Sequence, residues 1–339
     1  MTNACRIKHW LTSLQSQRRL MSLLLLSLFS FVVVSACSGS PSTPNGDTAN
    51  TDSASPQRTI QHALGETQIP IAPERIVLLA PGPALDNLLA LEVKPTGMGV
   101  FTNRAYEVPP YLAAQVNTIE SVGDFSQPDL ERIVQLQPDL IIMADFQEKI
   151  YAQLSQIAPT VAIKMEAQTW KEDFLAIADV VNRTAAAQQL LDQYEQRIVE
   201  FKAAMANQSR EPEVSVVRIR ADGIFPYVKS SLVGQVLEEA GVKRPPAQDV
   251  FLEDSPRLSI SLEELEKADG DVLFVYGLEF RGTETVFAQL QSNPLWQELD
   301  AVQRDRVYVV PDSYWSFPGI QGLDLLLDDL FTYLIDESD

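Results

Sequence analysis

Cysteine and histidine are almost missing from this chain: its 339 residues hold two of each. The histidines are His9 and His62, and the cysteines Cys5 and Cys37. That is too few for a zinc set, and no nucleophile stands paired with a histidine. No glycine–lysine phosphate loop occurs either. Gly97-Met98-Gly99 is a lone GxG and reads as a turn. Paired-carboxylate chemistry stays open in so acidic a chain, but no pair stands out, and the sequence is read as that of a non-enzyme. Basic residues are scarce, 26 Lys+Arg against 46 Asp+Glu for a net charge of −20. Such a surface argues against nucleic acid, whose binding depends on Lys and Arg contacts to phosphate. Beyond that, acidity speaks mainly for solubility.

Long apolar runs are also absent, with one exception. Residues 1–22 carry Arg6, Lys8, Arg18 and Arg19 and no acid, and the run Leu23 to Val34 follows, ending in Ser35-Ala36-Cys37. The run is short of the roughly 20 residues that span a bilayer. A basic stretch, a short apolar core and small residues read as a secretory signal. Val34-Ser35-Ala36-Cys37 resembles the bacterial lipobox, in which the signal is cut before a cysteine that carries acyl chains such as palmitate. Residues 1–36 are then signal peptide. Cys37 is the lipid anchor, holding the chain to the cell membrane with its folded part facing the periplasm or the cell exterior. An ordinary secretory signal followed by a chance cysteine is the alternative. With Cys5 removed and Cys37 acylated, no disulfide remains and the fold rests on its core. Residues 37–58, rich in Ser, Pro, Thr, Asn, Gly and Asp, have almost nothing to bury and read as a disordered tether.

From there short apolar runs alternate with helical patterns. Arg75 to Leu79, Thr96 to Val100, Asp139 to Met143 and Val161 to Ile163 read as strands. Ala84 to Leu91 and Leu130 to Leu136 read as helices between them. Strands of this kind belong to a parallel sheet covered on both faces. Trp170 to Val181 is a helix. After Asn182-Arg183, Thr184 is placed to cap a second one that runs to about Asn207. About 24 residues at ~1.5 Å give ~36 Å, which suits either a long surface helix or a strut between two lobes. Alternation then resumes. Val214 to Ile219, Asp271 to Tyr276 and Arg306 to Val310 read as strands, and Ser231 to Ala240, Leu262 to Ala268 and Leu323 to Leu334 as helices.

An internal echo ties the halves together. Leu130-Glu131-Arg132-Ile133 leads at nine residues to Asp139 and an apolar strand, and Leu262-Glu263-Glu264-Leu265 leads at nine residues to Asp271 and another. The expected architecture is α/β, with two Rossmann-like lobes of mostly parallel sheet joined by one long helix. The N-terminal lobe is residues 59–168, the connecting helix 169–209 and the C-terminal lobe 210–339. Parallel sheets bind ligands beyond the carboxyl ends of their strands, so the cleft lies between the lobes. The strand ends carry Phe101, Arg104, Tyr106, Phe125 and Phe146 in the first lobe. Arg218, Arg220, Tyr227, Tyr276, Phe280, Arg281, Tyr314, Trp315 and Phe317 do so in the second. Aromatic walls with arginine donors suit a small anionic ligand.

Several stretches carry a family resemblance. They are Pro73 to Val77, Pro128 to Ile133 with Gln137 to Ile142, Asn293 to Trp296 with Ala301-Val302, Arg306-Val307-Tyr308 and Tyr314-Trp315. In this order the chain, over about residues 58–337, resembles the bacterial iron–siderophore substrate-binding proteins of ABC importers. The resemblance implies binding without chemistry or cofactor. A ferric siderophore, hydroxamate type among the candidates, is held in the cleft with its iron caged and no protein ligand to the metal. It implies a monomer whose partners are the transmembrane permease subunits, docked through Glu131 and Glu263. It also implies ligand contacts from Arg218, Trp315 and Tyr227, with Arg104, Phe125, Tyr314, Phe101 and Tyr106 as further cleft candidates. The chain departs from the pattern at Phe125, where some hydroxamate binders have arginine, and at Glu92, where a glycine is usual. Cobalamin or haem remain as alternative ligands, with Tyr227 or Tyr314 as axial candidates for haem. A surface lipoprotein acting as a sensor or adhesion module, with no transport role, remains as the alternative of another class.

Overall fold

The computed structural model describes residues 56–102, 108–164, 170–208 and 210–335. The expected signal segment, Cys37, Arg104 and Tyr106 lie outside them. The first element is an antiparallel hairpin, β1 (Gln57–His62) and β2 (Gly65–Pro70). It begins inside the stretch read as tether, because Ile60 and Ile69 point inward and are buried.

The first lobe then runs β3 (Ile76–Leu78), α1 (Pro83–Ala90), β4 (Gly97–Val100), α2 (Ala113–Val116), β5 (Glu120–Asp124), β6 (Gln127–Pro128), α3 (Leu130–Gln135), β7 (Leu140–Ala144), α4 (Glu148–Leu154) and β8 (Thr160–Ile163). Its sheet has the order β6-β5-β4-β3-β7-β8, and every pairing is parallel except β5 with β6. Two helices follow, α5 (Trp170–Val180) and α6 (Thr184–Ala206). The second lobe contains β9 (Val214–Arg220), β10 (Gly223–Pro226), α7 (Leu232–Glu239), β11 (Val272–Tyr276), α8 (Thr283–Gln291), α9 (Pro294–Gln297), α10 (Asp300–Gln303), β12 (Val307–Val309), α11 (Asp312–Trp315) and α12 (Ile320–Leu334). Its sheet has the order β10-β9-β11-β12, with β9, β11 and β12 parallel.

Strand residues alternate between two burial environments, as a sheet covered on both faces requires. Val77, Leu79, Ile141 and Met143 face an outer core beneath α3 and α4. Val217, Ile219, Leu273 and Val275 face the corresponding outer core of the second lobe. Their alternates Ile76, Leu78, Leu140, Ile142, Val214, Val216 and Phe274 join one continuous core with α5, α6 and α12. The lobes therefore share a helical layer. Within it Phe201 of α6 meets Phe331 of α12 edge-on at 5.2 Å, and Arg197 of α6 pairs with Asp324 of α12 at 3.0 Å.

A second tie crosses the molecule. Asp86 of α1 is fully buried. Its carboxylate accepts from the backbone N–H groups of Gly319, Gln321 and Gly322 at 3.0–3.1 Å and from the Tyr111 hydroxyl at 2.7 Å. Asn87 accepts from Ile320 N–H at 3.0 Å. The first turn of α12 is thus capped by side chains from the other end of the chain, and their acceptor oxygens satisfy donors that a helix leaves open. Gly319 permits this approach, since a Cβ there would lie 2.7 Å from Asp86 and Asn87.

The internal echo is realised in hydrogen bonds. Asp139 accepts from the backbone N–H of Glu74 and Arg75, just ahead of β3, and Asp271 accepts from Glu213 N–H, just ahead of β9. The ends of α1 and α7 match as well. Glu92 and Gly241 both take positive φ, 59° and 71°, and the N–H of Val93 and of Val242 return to Leu88 and Leu237. A glycine meets that left-handed requirement freely, whereas Glu92 carries a steric cost.

Three local expectations differ from the structure. Thr184 is the first helical residue of α6, not its cap, because Asn182 has already turned the chain with a φ of 55°. Leu262–Ala268 is a 3₁₀ segment kinked at Glu264. Gly97 and Gly99 lie inside β4, not in a turn.

Candidate functional site

A cleft of about 200 Å³ opens where the carboxyl ends of the first lobe's strands face the second lobe. The first lobe supplies the segment Ala80 to Pro83 after β3, Phe101 after β4, Phe125 after β5 and Phe146 after β7. The second supplies Asp312 and Ser313 of α11 and then Ser316 and Phe317. Phe125 is the middle of an aromatic row, meeting Phe101 at 5.3 Å and Phe146 at 6.2 Å, both edge to face. Such edge-to-face contacts hold rings in fixed attitudes. Phe146 is 63% exposed and forms the outer end of the row.

The row is set by groups behind it. Gly99 lets the backbone of Phe125 pass close, since a Cβ there would be 2.9 Å from its Cα. Gln147 is buried. It accepts from Ala144 N–H at 2.8 Å and donates to the carbonyls of Leu79, at 3.1 Å, and Phe125. One amide thus stitches three strand ends into a floor. Asp124 accepts from Ser126 N–H at 2.9 Å and from the Thr102 hydroxyl. Bonds from Ser126 and Thr102 pull its pKa down to about 2. Below the ordinary carboxylate range, and only as pH falls toward that value, would this clamp on the Phe101 and Phe125 loops be lost.

Arg218 stands on β9, opposite Tyr276 of β11 in the parallel register. Its guanidinium lies 5.7 Å from the Tyr276 ring and 5.4 Å from that of Phe280, and it pairs with Asp312 at 2.8 Å. Asp312 is fully buried, and its own N–H donates to Glu279 at 2.9 Å. Burial works against the charge on Arg218. Asp312 and the phenols of Tyr227 and Tyr276 outweigh it and hold its pKa above the ordinary arginine value.

The structure brings Phe101 and Phe125 together in the cleft, adds Phe146 and Phe317, and sets Arg218 behind Asp312 at its edge. It does not bring the other candidates there. Trp315 is fully buried in the shared core, 4.6 Å from Phe274, with its indole N–H donating to Asp329 at 2.8 Å. Tyr227 is buried beside Tyr276, at 5.6 Å, and its carbonyl accepts from Arg244. Tyr314 meets Tyr111 edge-on at 6.1 Å, and burial, then the Asp329 carboxylate, push its phenol pKa up. Neither phenol lines the cleft. Among the described residues no three His, Cys, Asp or Glu side chains gather as a metal site.

Glu131 and Glu263 are both exposed and sit in the first turns of corresponding segments. Their neighbours are occupied. Asp129 caps α3 through Glu131 N–H and Arg132 N–H, and Glu264 bonds Ser261 and Lys267. Among the described residues neither Glu131 nor Glu263 makes an ion pair. Sequence reasoning passed over Asp312, Ser313 and Gln147, although Asp312 lies three residues beyond the end of β12, which is a signal for a cleft residue.

Residues 84–314 match the family described as Periplasmic binding protein. The chain is 33% identical over 327 residues to the probable siderophore-binding lipoprotein YfiY of Bacillus subtilis, covering 93% of this chain and 98% of that one. It is 29% identical over 317 residues to the Fe(3+)-citrate-binding protein YfmC of the same organism, covering 92% and 96%. Among solved structures, Staphylococcus aureus SirA complexed with staphyloferrin B superposes with a TM-score of 0.72 at 27% identity, covering 83% of this chain and 100% of SirA.

Proposed function

Because the chain belongs to the periplasmic binding protein family, whose members are substrate-binding proteins and not enzymes, we propose that it captures a ferric siderophore in the interlobe cleft and delivers it to an ABC permease. The observation that carries this reading is the cleft itself, an aromatic row from one lobe facing an arginine–aspartate pair of the other. Rings give the chelator apolar contact, and the arginine meets an anionic oxygen. The names of YfiY and YfmC, and the ligand in SirA, point to the same ligand class. The iron stays inside its chelator, so the protein touches only the chelator's outer atoms. With Phe125 in the row and Arg218 opposite, an anionic, carboxylate-bearing complex fits better than a neutral hydroxamate.

A tryptophan-fluorescence titration with ferric citrate, a ferric catecholate, a ferric hydroxamate, cobalamin and haem tests this. Saturable quenching by an anionic ferric chelate is expected. Quenching by cobalamin or haem alone would redirect the assignment, and none by any ferric chelate would sink it.

Cys37 then anchors the protein outside the cell membrane, and the following residues tether it near the permease, raising their effective concentration. Glu131 and Glu263, one per lobe, would meet basic residues of the two permease subunits. The pair Glu131→Ala plus Glu263→Ala should leave ligand affinity within about twofold and reduce uptake by at least tenfold, since two ion pairs of about 0.7 kcal/mol or more each are lost. Normal uptake by that variant would rule the docking sites out.

A further inference from the structure

Arg218 is engaged in a lopsided way. Asp312 Oδ1 meets its Nη2 at 2.8 Å, while Nε is buried and has no hydrogen-bond partner among the described residues. Nε and Nη2 are the two donors on one side of a guanidinium, the fork that a carboxylate takes with both oxygens. Asp312 fills only half of it. The guanidinium is held in place by Tyr276 and Phe280, so the fork is already oriented. Asp312 also lines the cleft, which places it between Arg218 and any ligand there.

We infer that Asp312 is a specificity-determining residue, a built-in carboxylate that occupies Arg218 while the cleft is empty and yields it to a carboxylate of the incoming chelate. The inference rests on the ferric-chelate reading above. A buried guanidinium without a counter-charge is costly, so an empty cleft needs Asp312. A ligand must outbid it, and a carboxylate that reaches both Nε and Nη2 does so because it makes two charge-assisted bonds, whereas Asp312 meets Nη2 through an ion-pair contact and leaves Nε open. A chelate with no free carboxylate has nothing to exchange. It would have to bind with the Arg218–Asp312 pair intact and draws no advantage from the arginine. Asp312 thereby converts a positive charge that would attract any anion into a fork that selects for one shape of anion.

The test uses the purified chain, with ferric citrate as a carboxylate-bearing probe and ferrioxamine, a trihydroxamate without a carboxylate, as control. Asp312→Asn removes the competitor and should tighten ferric citrate at least tenfold, leaving ferrioxamine within about twofold. Its empty form should melt below the wild type and gain more from ferric citrate. Arg218→Lys retains the charge and a partner for Asp312 but not the fork. It should fold normally and weaken ferric citrate at least tenfold, which keeps the idea testable even if Asp312→Asn fails to fold. Unchanged or weaker ferric citrate binding by Asp312→Asn, an equal gain for ferrioxamine, or full affinity in Arg218→Lys would each overturn the exchange while leaving the ferric-chelate reading in place. A wild-type protein that binds neither probe would overturn the exchange, and the ferric-chelate reading would fall with it once the ferric catecholate also fails to bind.

Discussion

Asp86→Ala is expected to lower the stability of the folded chain by about 3–5 kcal/mol. The carboxylate is fully buried and accepts from the N–H of Gly319 just ahead of α12, from two N–H groups of α12 and from the Tyr111 hydroxyl. Losing a helix cap costs about 1 kcal/mol. Each buried donor left without a partner adds roughly 1–3 kcal/mol, less whatever water entering the cavity restores. Asp86→Asn keeps one acceptor oxygen but turns an NH₂ toward N–H donors, so about half the loss is expected. Urea unfolding measures this as a shift in midpoint at constant slope. A loss below about 1 kcal/mol for Asp86→Ala would mean that the cap does not hold the lobes together.

The second large effect separates packing from binding. Trp315→Ala should cost about 3–5 kcal/mol, in the range for deleting a large buried aromatic. The ring is fully buried against Phe274, and its N–H satisfies Asp329. Trp315→Phe refills most of the space but removes one of the two side-chain bonds to Asp329, leaving that from Tyr314, so about 1–3 kcal/mol is expected. Because the ring lies outside the cleft, the phenylalanine variant should bind the ferric chelate within about threefold of wild type, read from the remaining tryptophans. A tenfold loss of affinity with stability preserved would put the ring in contact with ligand after all.

Trp315 also shows where sequence reasoning stops. The strands were readable because both faces of each sheet are covered, which makes short unbroken apolar runs such as Leu140 to Ala144. The strand ends were readable because clefts open beyond the carboxyl ends of parallel strands, and Phe101 and Phe125 line the one described here. Glu131 and Glu263 are singled out by the family resemblance and stand in a repeat whose physical basis is visible in Asp139 and Asp271 bonding the backbone ahead of β3 and β9. Trp315 also comes after a strand, six residues beyond the end of β12. It belongs to α11, however, which has four residues, too few for periodicity to say which face is inward. Asp86 looked like an ordinary polar residue in a short helix, and its donors are more than 200 positions away. No local pattern encodes that contact. The stretch Leu262 to Ala268 reads as a helix, but Glu264 folds back onto Ser261 and kinks it into 3₁₀ geometry.

The bond between Asp86 and α12 closes a loop of 233–236 residues. Loop closure on that scale carries an entropic cost of about 5 kcal/mol and slows the search for native contacts. The first lobe therefore cannot seal its own helix α1 until the last helix has been made and has come back to it. A chain cut short before Gly319 would leave that carboxylate with the Tyr111 hydroxyl but none of its three backbone donors, and stay loose. Completion of the C terminus acts as a timer on the whole molecule. For a protein we propose to be anchored outside the cell membrane, a structure that does not set until its final turn arrives is one that can still be moved.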